Sequence, residues 1–411
     1  MSRRLRKKIR AYRHTNRSPT LDLAKLNFDR FDSWFTRGFA RKPNVRAALM
    51  VGTAITTGMM AVVADVVVSG SPAMAGPTCT GTGTQNFGPG SYPTGITCDD
   101  VPASTTIVTN GTTLVGGNGN GNGIELTTVD GGLTLGVNTS RNTTIGLPTF
   151  GNVTHDGIHV YSYGGNETIF INNAATINIG NGTAGSSNDG IYARIHSSHN
   201  NTLSVENTGL IGNSTNPVGY NGIDAAIITH GNFTGVGAAS VQTTYVSNSM
   251  PIFAAHDGIR AYADNEQDFG AYGYSGASHT TVFNAGNITA GHQGISAYSD
   301  TETFAGASAL ATVTVTNSGT IVSGGGGNGI DGGATADAGQ FNNVGTGVAT
   351  GGTAVAVVDI TNSGAITSKA DGIHGDSEAN ASVGNFPNGT AGVALATTAI
   401  TTSTGNITST G

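Results

Sequence analysis

Positive charge almost disappears from this 411-residue chain after its first 46 positions. Fourteen of the 18 Lys and Arg lie within residues 1–46, and from Gly76 onward only Arg141, Arg194, Arg260 and Lys369 stand against 21 acidic side chains. A region carrying about −17 repels phosphate, so no nucleic-acid partner is expected. Aromatic residues make up 6% of the chain and charged residues 10%, and no stretch between 77 and 411 carries a convincing helical period. Zinc-type Cys/His spacing, a G-x-S-x-G elbow and a phosphate loop ending in Gly-Lys are all missing, which removes the usual motif-based enzyme and metal assignments. The abundant residues are glycine, with 64 copies, and alongside it Thr, Asn and Ser.

These residues are ordered by a phrase in which a polar residue precedes Gly-Ile. It ends at Ile124, Ile158, Ile191, Ile223, Ile259, Ile295, Ile330 and Ile373, at intervals of 34, 33, 32, 36, 36, 35 and 43 residues. A period in this range marks a solenoid whose repeats bury their apolar sides against one another. A second phrase, roughly Val-x-Asn-x-Gly-x-Ile, accompanies it, as in Val315–Ile321 and Ile360–Ile366. In Thr312–Thr316 valines and threonines alternate, so they occupy opposite faces of a strand. Each repeat therefore reads as two or three short strands joined by corners, with glycine and Asn or Asp tolerating left-handed backbone there. The fold class is all-β: a right-handed parallel β-helix following an unstructured or partly helical N-terminal region.

Two further expectations follow from the repeats. Asn173, Asn207, Asn248, Asn284, Asn317 and Asn362 should stack along the axis, either as a buried amide ladder or as turn residues. Loops of variable length, such as 164–167, 263–278 and 332–352, should project from one face, where specificity would reside.

The N-terminal 75 residues differ in character. A basic stretch (1–46) precedes an apolar one (47–68) and the small-residue site Ala73-Met74-Ala75. This order is that of an extended secretory signal, with cleavage between Ala75 and Gly76. Leu23, Leu26, Phe31, Trp34 and Phe35 could line one side of an amphipathic helix, or the segment could be a solvated basic leader. Cys79 and Cys98, the only cysteines, follow the cleavage site; in an exported chain an even count suggests one disulfide. The bond would close an N-terminal cap over residues 76–110, ahead of β-helix repeats from 111 to 411.

Taken together, the basic leader, the Ala73-Met74-Ala75 site, the pair Cys79 and Cys98, and repeats such as Asn317–Ile321 with Asn328-Gly329-Ile330 resemble the passenger regions of type V autotransporters, in particular the β-strand-repeat proteins of alphaproteobacteria. The resemblance implies Sec-type export and passage through the outer membrane of a Gram-negative bacterium, leaving the protein secreted or on the cell surface. It further implies a C-terminal barrel as partner, and an extracellular surface, glycan or protein as the ligand in adhesion or aggregation. This sequence lacks such a barrel and stops partway through a repeat at Gly405–Gly411, which reads as a truncated chain or a separately encoded barrel.

The alternative is a polysaccharide-acting β-helix enzyme, a lyase or glycosidase. Asp156, Asp189, Asp257 and Asp371 recur in register, and His155 and His256 precede two of them. Asn122, Asn221 and Asn328 occupy the same position, however, so the role is that of a corner residue rather than a catalytic acid. Calcium at the stacked aspartates competes with corner hydrogen bonding, which is the preferred reading. The expectation is a non-enzyme with no catalytic, cofactor-binding or metal-binding residues.

Overall fold

A computed structural model describes residue 79 and residues 82–410, apart from 119, 147–152, 180–187, 198, 230–238, 267–274, 304–306, 340–350 and 382–391. The leader (residues 1–75) and the Ala75–Gly76 junction lie outside the described residues. Every described element is a β-strand, and each strand pairs in parallel with its counterpart one coil away. Sheet A has nine strands, sheet B has ten, and sheet C runs as four and then five strands joined through single bridges at Ile211. A coil passes through all three, as in Ile295–Thr303 (sheet A), Ala309–Asn317 (sheet B) and Ile321–Ser323 (sheet C). The chain is a parallel β-helix. Pairing already includes Gly83–Phe87 against Thr105–Thr109, so stacked coils begin inside the segment expected to form the cap.

The alternating sequence sets the core. Seven of the Gly-Ile isoleucines, from Ile124 to Ile330, are fully buried, and Ile373 is partly buried. In Thr312–Thr316 the valines point inward and the threonines outward. Pro251 precedes the sheet C strand Ile252–Ala254 and contributes only its carbonyl, which accepts the Ile211 N–H at 3.2 Å.

The corners work differently from the sequence expectation. The glycine of each Gly-Ile pair has no left-handed φ, and among described non-glycine residues only Asp100 and Asn166 do. Glycine is required there because of crowding. A Cβ on Gly258 would sit 2.2 Å from Ile288 Cγ2 and 2.6 Å from the Gly294 carbonyl oxygen. The polar residue before it is fixed by hydrogen bonding along the axis. Asn122, Asp156, Asp189, Asn221 and Asp257 each accept the backbone N–H of the next anchor on Oδ1, at 2.8–3.3 Å. Asp and Asn interchange because both supply that oxygen.

The asparagines of the second phrase form the expected ladder and serve the corner as well. From Asn173 to Asn362 each Nδ2 donates to the Oδ1 of the next, at 2.6–2.8 Å. The same Nδ2 donates to the carbonyl two residues on, for example Asn284 to Gly286 at 2.8 Å. With the amides 0–2% exposed, both bonds are needed to satisfy groups cut off from water. The insertions are shorter than 263–278 and 332–352: sheet A continues through Ile259–Glu266 and Ile330–Ala338, and sheet B resumes at Gly276 and Thr353.

Candidate functional site on the outer face of sheet A

Chemistry-bearing side chains concentrate on one surface. The first outward residue after each Gly-Ile pair forms a row that includes His159, Tyr192, Asp224, Arg260, Asp331 and His374. Two residues further on, a parallel row includes Tyr161, Arg194, Tyr262 and Tyr298. Coils lie about 4.8 Å apart, so side chains of neighbouring coils stack or bond directly.

The early coils carry an aromatic cluster. The ring of His159 stacks on Tyr192 with centroids 4.8 Å apart, and Tyr161 lies 4.6 Å from Tyr163 and 5.3 Å from His196. Arg194 extends the cluster, its guanidinium 4.7 Å from the centre of the Tyr192 ring. Tyr163, at the edge, is half exposed. Burial pushes the Tyr161 and Tyr192 hydroxyls well above their usual range, so both remain neutral.

At mid-solenoid the surface becomes charged. Asp224 lies in the outward row but is only 2% exposed, because Arg194 Nη2 and Arg260 Nη1 donate to its Oδ2 at 3.3 and 3.2 Å. Two of the four basic residues beyond Gly76 thus converge on one carboxylate. The Asp224 charge raises Arg260 above its ordinary range. On the neighbouring anchor, burial together with the charges of Asp224 and Asp156 pushes the Asp189 carboxyl well above the usual carboxylate range. Asp189 is 1% exposed and uses Oδ1 to hold the Asn221 N–H at 2.8 Å, so it serves the corner rather than a substrate.

Further along, Asp331 gathers three donors: Gln293 Nε2 and His374 Nδ1, each at 2.8 Å, and the Tyr298 hydroxyl. The Tyr298 ring can reach across because Gly333 sits under it; a Cβ there would lie 2.6 Å from the ring. The bond to Asp331 raises His374 above its ordinary value.

At the corner leading from sheet C into sheet A, His256 and His292 flank Asp257. One donor atom from each of these residues lies within 4.8 Å of the others. Burial opposes the charge on Asp257, yet the two imidazoles and the Gln293 N–H hold its carboxyl well below the usual range. In the sequence His256 reads only as the neighbour of a corner aspartate, and His292 has no motif to mark it. The available signal was their 36-residue separation, which equals the interval from Ile259 to Ile295 and therefore one coil.

The other anticipated residues fall as follows. Cys79 and Cys98 are joined by a disulfide, with Cα atoms 5.0 Å apart. Asp156, Asp189 and Asp257 stack as anchors, each accepting a backbone N–H from the next coil. No family model matches the sequence, and neither a curated protein nor a solved structure shows significant similarity to it.

Proposed function

We propose that the chain is an exported β-helical passenger, displayed on the cell surface or released, which acts by presenting an extended face in adhesion or aggregation. One observation chiefly supports this reading. The recurring acidic and amide residues are engaged in repeated hydrogen bonds along the axis, so the regular part of the chain is occupied in building a surface. Variation lies in the outward rows of sheet A, in the connections from sheet A to sheet B and, in the early coils, in those from sheet C to sheet A. The residues offered outward, including Tyr163, Tyr161 and Arg260, are of the kind that stack on sugar rings or bond acidic and amide groups.

Display of the full chain on a non-adherent host cell tests the reading. Surface binding or cell clumping is expected, and deletion of 267–274 and 340–350 should abolish it while preserving the β-rich circular dichroism spectrum. Cells that show neither behaviour would remove the adhesion reading. A leader still attached to protein recovered outside the cell would remove cleavage at Ala75–Gly76.

A polysaccharide-acting enzyme is the second reading, favoured by the Asp224–Arg194–Arg260 cluster, which occurs once and not at every coil. Release of reducing or unsaturated ends from acidic polysaccharide, lost in Asp224→Asn, would establish it in place of the first.

A further inference from the structure

His256, Asp257 and His292 have an arrangement that the corner does not need. An anchor requires one oxygen to accept the next coil's backbone N–H, and the neutral side chains of Asn122 and Asn221 supply that oxygen as well as Asp257 does. At Asp257 the same oxygen, Oδ1, faces two imidazole nitrogens, His292 Nδ1 at 2.9 Å and His256 Nδ1 at 3.1 Å. His256 Nδ1 is buried and forms no hydrogen bond, so it is poorly aligned for a proton shared with Asp257. Asp156, by comparison, has one such neighbour, His159 Nδ1 at 2.8 Å.

Both imidazoles are held in place. They occupy the row one residue before the anchor, where the His256 N–H donates to the Tyr220 carbonyl at 2.9 Å and the His292 N–H to the His256 carbonyl at 3.0 Å. The three rings form a continuous stack, with centroids 4.6 Å apart between Tyr220 and His256 and 4.7 Å apart between His256 and His292. The next coil places Gly327 against His292, so no side chain from that residue caps the last ring.

We propose that His256, Asp257 and His292 form a binding site for a divalent transition-metal ion such as zinc, cobalt or nickel. Two imidazole nitrogens and one carboxylate oxygen suit these ions, whereas calcium and magnesium prefer an all-oxygen shell. The two N–O separations suit adjacent ligands of one ion bound at about 2.0–2.2 Å, and a small rotation of the imidazoles, whose donor atoms lie within 4.8 Å of one another, brings both onto it. The ion takes the place of the Nδ1 protons: each imidazole adopts the Nε2–H tautomer and offers its Nδ1 lone pair, and any proton in excess leaves to solvent. The Gln293 N–H, 3.0 Å from Oδ1, orients the carboxylate. The His256 side chain is 34% exposed although its Nδ1 is buried, so water or a donor from a bound partner completes the coordination by entering past the edge of that ring.

The test uses the full chain without an affinity tag, stripped with chelator and titrated with ZnCl2, CoCl2 and CaCl2 by calorimetry. The visible spectrum of the Co2+ form provides a direct readout of imidazole coordination in the unsubstituted protein. One Zn2+ or Co2+ per chain and no Ca2+ are expected, with affinity falling at least about tenfold in His292→Ala and in Asp257→Asn. The asparagine variant retains the anchor's oxygen, so in chelator it should keep the parent's circular dichroism spectrum and a cooperative melt, and His374→Ala should bind as the parent does. Absence of stoichiometric binding, a Co2+ spectrum without nitrogen ligands, uptake of Ca2+ instead, or undiminished affinity in both site variants would overturn the proposal.

Discussion

The early and late coils share the same corners but fill the space between them differently. In sheet A the strands Ile124–Thr128 and Ile158–Ser162 have five residues, whereas Ile295–Thr303 and Ile330–Ala338 have nine. Over the same span one inward row shrinks, from Leu126 and Val160 through Ala193, Ala225, Ala261 and Ala297 to Gly332. The longer strands of the late coils add a lining of Ala, Ser and Thr beside the buried Val and Ile that they retain, such as Val313, Val315 and Ile330. Hydroxyls link the sheets across it: Ser278 to Thr301 at 2.7 Å, Ser299 to the Thr312 carbonyl at 2.8 Å and Thr301 to the Leu310 carbonyl at 2.7 Å. Early coils are therefore held mainly by apolar burial, and late coils by longer ladders together with buried hydroxyl bonds.

The largest expected effect comes from emptying the early core. Leu126→Ala should cost about 2–5 kcal/mol, since a fully buried side chain leaves a cavity that rigid neighbouring coils cannot close. Denaturant unfolding measures it, and a loss below about 1 kcal/mol would mean that the early coils do not depend on bulk in this row.

Removing a rung of the ladder should act on either side of the comparison. Asn284→Ala takes away an acceptor from Asn248 and donors from Asn317 and Gly286, at about 3 kcal/mol for several buried groups left unpaired. Equal unfolding midpoints for parent and variant would show that the corner, not the ladder, sets that position.

Exchanging the two packing schemes gives a somewhat smaller effect. Ala297→Leu places in a late coil the residue that the same row carries at Leu126, and overpacking should cost about 1–3 kcal/mol. Thermal melting of this variant beside Leu126→Ala sharpens the contrast; a neutral Ala297→Leu would mean that the late sheets can separate.

The smallest effect is one of pH. The bond to Asp331 raises His374 above its unfolded value of about 6.5, so its stabilisation is fully present below that pH and is lost as pH rises through the folded value. Partial exposure and screening limit it to about 0–1 kcal/mol. Melting of parent and His374→Ala should therefore differ more at about pH 5.5 than at about pH 8.5, and the opposite order would contradict the pairing.

Much of this architecture is legible in the sequence because a solenoid writes its contacts at a fixed interval. The Gly-Ile isoleucines and the asparagines of the second phrase each repeat once per coil, so the burial of the first and the stacking of both follow from spacing. The reason for glycine at the corner does not, because a turn requirement and a crowding requirement select the same residue. The extent of the insertions was also hidden: Ala263–Glu266 and Gly332–Ala338 are rich in Ala, Gly and Asp yet belong to strands. Small residues there reflect two sheets in close approach, which local strand propensity does not report.

The sequence by itself determined the coil, its inward isoleucines and the axial stacking of the asparagines, because each depends only on residues one period apart, while the structure decided that the amides bond to one another as a buried ladder. The tertiary structure decided which outward side chains meet. Arg194 and Arg260 reach Asp224, Tyr298 and His374 reach Asp331, and two histidines face Asp257, through register and ring stacking across coils. Outward positions carry no repeated pattern to read, and a change of one residue in register would bring different groups together.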